Sequence, residues 1–127
     1  MKVYAFDVDE TLEISNGPVF LSDIMALKQA DGVCVGLCGN WGKFFALVHR
    51  WQDYISFFNG FIDKKEYMKL LREHSGPYMG ATEFVMVGNQ KGRTNSLGFV
   101  TESADSAAAA YAGWRFILED DFAKGMR

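Results

Sequence analysis

Val3-Tyr4-Ala5-Phe6-Asp7-Val8-Asp9-Glu10-Thr11-Leu12 is the stretch on which the reading of this chain turns. Its first four residues form a short, continuous apolar run, as expected of a strand covered on both faces. The run stops at Phe6 and passes directly into a turn of acids and a threonine. Residues 33–38, 84–87 and 114–118 repeat the strand pattern. Between the first two runs, Asn16-Gly17-Pro18 marks a turn, and Phe20, Ile24 and Leu27 recur at helical spacing. Phe44, Val48 and Trp51, with Phe45 alongside, make a second helical stripe. Residues 64–72 place Tyr67, Leu70 and Leu71 on one face. Residues 105–112 form a small-residue helix able to approach a sheet closely, and 54–61 read as a short strand or an aromatic-packed loop. Strand–helix alternation of this kind predicts one α/β domain over residues 1–127, three layers deep, with a mainly parallel sheet.

Composition bounds the function. The chain has 127 residues, 49% hydrophobic and 23% charged, which excludes disorder and collagen-like repetition. A chain of this length buries roughly two-thirds of its unfolded surface, so a core forms without staples. With 13 Lys+Arg against 16 Asp+Glu, the net charge is −3, and no basic stripe suits stable nucleic-acid binding. The first apolar run is too short for a signal peptide or membrane span, so a cytoplasmic protein is expected. Cys34 and Cys38 share one run. On a strand they lie about 13 Å apart, too far for a disulfide, and read as two buried core thiols.

In an open parallel sheet, ligands bind beyond the carboxyl ends of the strands. The three central runs end in Asp7-Val8-Asp9-Glu10-Thr11, Cys38-Gly39-Asn40 and Gly88-Asn89-Gln90-Lys91-Gly92. The first and third endings carry groups suited to a metal or phosphate, and the second offers glycine-flanked amides. Asp7 and Asp9 would share a face of a strict strand, where two carboxylates repel unless a cation or shared proton intervenes. Mg²⁺ suits oxygen ligands at a phosphate-handling site. The competing reading is a solvated acidic turn.

Residues 3–12 resemble the first motif of the haloacid dehalogenase superfamily. That resemblance implies a Rossmann-like sheet and Mg²⁺-dependent phosphoryl transfer through an aspartyl-phosphate, with Asp7 as nucleophile and Asp9 as general acid and base. It also implies a phosphate-binding set of Thr11, Cys38, Gly39 and Asn40, with Cys38 where the family has a hydroxyl. Lys64, at the start of a helix, matches the charge-neutralising lysine better than Lys65. The fourth motif departs most. Asn89 stands at its first acid, Arg93 stands at its second, and an insertion at 90–101 separates them from Asp105 and an alanine-rich helix. The implied metal set is Asp7, Asp9, Asn89 and Asp105, with Glu102 as a further candidate. For Asp105 a helix N-cap is the competing role.

The intervals between these motifs leave no room for a large cap, so the resemblance is to a minimal, capless phosphatase. The expected partner is a phosphorylated substrate, small or macromolecular, and a homo-oligomer is left open. The alternative is a weak or inactive domain that binds metal, phosphate or a protein. His49 and His74 lack metal-ligand partners. Trp41, Phe44 and Phe45 read as core, and Glu119-Asp120-Asp121 as a solvated turn.

Overall fold

The computed structural model describes all 127 residues, Met1–Arg127. Its five strands are β1 (Lys2–Phe6), β2 (Val33–Leu37), β3 (Phe57–Phe58), β4 (Glu83–Gly88) and β5 (Arg115–Leu118). They pair in the order β3-β2-β1-β4-β5, and every neighbouring pair is parallel. Parallel neighbours need crossover connections, which the helices supply. These are α1 (Leu21–Gln29), α2 (Trp41–Leu47), α3 (Lys64–Leu70), α4 (Gly76–Met79), α5 (Asp105–Ala112) and α6 (Glu119–Ala123). A π-helical turn, Leu71–Ser75, joins α3 to α4. The result is a Rossmann-like, three-layer α/β fold, and none of its helices is long and apolar enough to cross a membrane.

The strands are apolar on both faces because both faces are covered. Tyr4, Phe6, Val35, Leu37, Val85 and Val87 pack against Ile24 of α1, Phe44 of α2 and Phe122 of α6. The alternate residues Val3, Ala5, Phe84 and Met86 meet Met68 of α3 and Ala108, Ala109 and Ala112 of α5. Cys38 belongs to this second face and is fully buried. Cys34 is half-buried, so the expectation of two buried thiols holds for one of them.

Register then sets the rim. Phe6 lies opposite both Leu37 and Val87, so the residues that follow them leave the sheet at one level. Asp7, Cys38 and Gly88 are thereby brought to the same edge.

Two helical stripes differ from expectation. The stripe through Phe44 and Trp51 is broken: α2 stops at Leu47, and Arg50 adopts a left-handed conformation with φ 56° before a separate turn at Trp51–Asp53. In α3 and the turn that follows it the inward residues are Met68 and Leu71, while Leu70 is exposed. The inward stripe runs through 64, 68 and 71 because the same face must carry Lys64 to the rim and Met68 to the core.

The 90–101 insertion folds back over the first loop. A bridge pairs Thr94 with Val100, and the buried Asn95 donates its amide to the carbonyls of Glu10 and Asn16. Arg93 reaches Glu119 and Asp120, which are buried at the start of α6. The solvated turn expected at 119–121 is therefore a buried ion-pair cluster at its first two positions. It is buried because the insertion supplies a guanidinium for the carboxylates.

Candidate active site

Asp7 stands one residue beyond the central strand and is 2% exposed. Three groups enclose its carboxylate. Lys64 Nζ lies 3.1 Å from Oδ1 and also 2.5 Å from Asp105 Oδ1. Asn89 Nδ2 donates to Oδ2 at 3.0 Å. Gly39 packs flat against Oδ1: an added Cβ would lie 2.3 Å from that oxygen and 3.2 Å from the Val8 nitrogen. Desolvation, followed by the like charge of Asp105, outweighs the Lys64 ammonium and raises Asp7 from 3.8 to about 8. Burial would lower Lys64, but Asp7 and Asp105 together raise it, so it stays an ammonium.

Asp105 opens α5 without capping it: Ala104 is the N-cap, and no side chain caps that end. Its Oδ2 accepts the Asn89 N–H at 2.8 Å, and its Oδ1 takes Lys64. Gly88 permits this approach, since a Cβ there would fall 2.4 Å from Asp105 Oδ2. The like-charged neighbour of Asp7 is therefore Asp105, which lies 98 positions away in sequence (105 − 7).

Asp9 is placed differently. Its carboxylate accepts Ser15 Oγ at 2.7 Å and Asn40 Nδ2 at 3.3 Å, and it is half-buried. The Asp7–Asp9 charge pair expected of a strict strand is absent because the strand ends at Phe6 and the backbone turns. What Asp9 presents to Asp7's neighbourhood is its backbone carbonyl, which accepts Asn89 Nδ2 at 2.8 Å.

The remaining candidates divide. Thr11 is fully buried and donates its hydroxyl to Asn89 Oδ1 at 3.0 Å, so it orients Asn89 and turns no hydroxyl toward an incoming phosphate. Cys38 lies beneath the charged cluster, and burial pushes its thiol up to about 12, which excludes a thiolate nucleophile near neutrality. The Gly39 N–H is taken, at 3.3 Å, by Asn59 Oδ1. The N–H groups of Val8, Asp9 and Asn40 donate to no group of the protein. Lys65 turns outward, its ammonium 5.3 Å from the Tyr111 ring centre. Glu102 is exposed on the surface.

Asn59 is the site residue that sequence reasoning missed. It is buried, holds Gly39 with Oδ1 and donates Nδ2 to the Ile62 carbonyl at 3.0 Å. It follows Phe57–Phe58 directly, so it too stands at the carboxyl end of a strand. Placing a strand within 54–61 would have found it by the rule that found Asp7. A cleft of about 510 Å³ opens beside the Lys64–Asp105 pair, with Lys65, Ser103 and Tyr111 on its wall; Asp7 does not line it.

The donor set decides how a divalent cation would fare here. Asp7 Oδ2 and the Asp9 carbonyl are two oxygens that could share one, and both accept from Asn89 Nδ2. Both Asp105 oxygens are engaged elsewhere. No cluster of three or more His, Cys, Asp or Glu side chains is gathered to hold a metal ion. As arranged, these residues do not fit Mg²⁺, which needs oxygens facing it in near-octahedral order.

No family model, curated protein or solved structure matches this chain.

Proposed function

We propose that this chain is a cytoplasmic phosphoric monoester hydrolase of the haloacid dehalogenase type, working through an aspartyl-phosphate on Asp7. One observation carries the reading: a buried carboxylate at the end of the central strand, gripped by an ammonium and bordered by an unused backbone N–H. A carboxylate oxygen of Asp7 attacks phosphorus, and the bond to the leaving-group oxygen breaks. Asp9 gives that oxygen a proton. Water then attacks the acyl-phosphate, Asp9 takes its proton, and Asp7 and inorganic phosphate are released. Lys64 holds Asp7 in place and offsets its charge. The Val8 N–H, which donates to no group of the protein, would be free to bind a phosphoryl oxygen. No step passes through a metal.

A second reading is a phosphate- or protein-binding domain without turnover. Its protein-binding form is favoured by the charge sum: Asp7 and Asp105 against Lys64 leave one formal negative charge, which opposes an anionic phosphate ester. Incubation with p-nitrophenyl phosphate, followed by borohydride reduction, separates the two. The hydrolase reading expects homoserine in the peptide containing position 7, because borohydride reduces an acyl-phosphate and leaves a free carboxylate intact. Unmodified peptide together with no nitrophenol release would contradict it.

A further inference from the structure

We infer that the side-chain amide of Asn89 takes the place of a divalent cation in this centre, so that the native chain holds its Asp7 cluster together without metal. The amide is fully buried, and all its polar atoms are used. Nδ2 bridges Asp7 Oδ2 at 3.0 Å and the Asp9 carbonyl at 2.8 Å, while Oδ1 accepts the Thr11 hydroxyl. Which way an amide points is fixed by its partners. The Asp9 carbonyl can only accept, so the edge facing it must be the N–H₂ edge, and the same edge donates to Asp7 Oδ2. Turning the amide over would set its oxygen against the Asp9 carbonyl oxygen, with no proton to separate them.

The rest of the cluster reinforces that choice. Asp105 Oδ2 accepts the Asn89 backbone N–H and fixes where the side chain starts. Thr11 fixes where it ends. Lys64 meets the other oxygen of Asp7 and the other oxygen of Asp105. Each oxygen of Asp7 and Asp105 therefore has a donor of its own. A cation could enter only by displacing a neutral donor already bonded to two of its would-be ligands. This inference concerns what holds the cluster, and it stands whether or not the centre turns over a phosphate ester.

The test is Mg²⁺ titration of the full chain by calorimetry, for wild type and Asn89→Asp. Wild type should show no saturable binding at millimolar Mg²⁺. Asn89→Asp replaces the bridging donor by an acceptor oxygen and adds a charge, so it should bind Mg²⁺ at least about tenfold more tightly, because affinity follows ligand charge count. It should also melt at a higher temperature in Mg²⁺ than in chelator. Saturable binding by wild type that Asp7→Asn removes would overturn the inference. So would a folded Asn89→Asp protein that binds none. If that variant does not fold, wild type decides alone: in ¹⁵N spectra, Mn²⁺ should leave the Asn89 side-chain amide sharp, and its selective broadening would overturn the inference.

Discussion

Lys64 Nζ lies 3.1 Å from Asp7 Oδ1, which ties the first turn of α3 to the end of β1 across 57 positions of sequence. The same ammonium holds Asp105 at the start of α5, so one side chain joins the central strand to two helices on one face of the sheet. Removing it should expose the cost of the carboxylates. Lys64→Met leaves the buried Asp105 carboxylate without its cation and should destabilise the chain by about 3 kcal/mol at neutral pH, as breaking a buried ion pair does. Urea denaturation at two pH values checks this: the loss should shrink in acid, where no buried negative charge is left to strand. A loss independent of pH would assign Lys64 a packing role alone.

Asp7 itself should make stability fall as pH rises. Its folded pKa is raised from 3.8 to about 8, so in that interval the folded chain binds a proton that the unfolded chain has released. The stabilisation is complete below the unfolded value and is lost as pH climbs through the folded value. Asp7→Asn abolishes that titration and should be the more stable protein near pH 8. The advantage should disappear near pH 4, at the unfolded value, as thermal melts of both proteins across this range will show.

The same shift sets the pH dependence of the proposed chemistry. Only the ionised carboxylate attacks phosphorus, so hydrolysis of a substrate whose leaving group needs no proton from Asp9 should increase with pH up to about 8 and level off beyond it. Initial rates with an aryl phosphate test this directly. A rate that declines over that interval would place the controlling group elsewhere.

How much of this was legible in sequence follows from what each residue depends on. β1, β2, β4 and β5 were readable because two-sided burial writes itself as a continuous apolar run. Asp7 and Asn89 were readable as candidates because they stand at the ends of such runs. Asn59 was not, since its strand is two residues long and merges with an aromatic-rich loop. The Glu119–Asp120 cluster was hidden for a different reason. Three charges in a row look solvated until a residue 26 positions earlier, Arg93, folds back to pair with them. The donor role of Asn89 was equally out of reach, because which edge of an amide faces its neighbours is decided by the assembled partners.

Arg93 supports a prediction away from the candidate site. Glu119 is fully buried, one of its oxygens has no partner, and burial raises its pKa. Arg93→Ala should therefore cost about 3 kcal/mol by stranding that charge, while Arg93→Ala combined with Glu119→Gln should recover part of the loss. Chemical denaturation of the two variants checks the coupling. Equal stability of single and double mutants would show that Asp120 alone uses the guanidinium.

Gly88→Ala tests how α5 reaches the rim. The new methyl would fall 2.4 Å from Asp105 Oδ2 and 2.8 Å from its Cγ, so helix and strand must part. A loss of roughly 1–3 kcal/mol is expected from overpacking of this kind. Gly42→Ala, where the nearest atom is 4.0 Å away, is the matched control and should change little.

The proposed chemistry rests on a covalent bond from Asp7 to phosphorus in a centre organised by Asn89 and Lys64. Steady-state hydrolysis of p-nitrophenyl phosphate by wild type and Asp7→Asn, each with and without chelator, tests it most directly. Turnover by wild type that chelator leaves unchanged is expected, and none by Asp7→Asn, whose fold persists. Turnover retained by Asp7→Asn, or none by folded wild type, would contradict it.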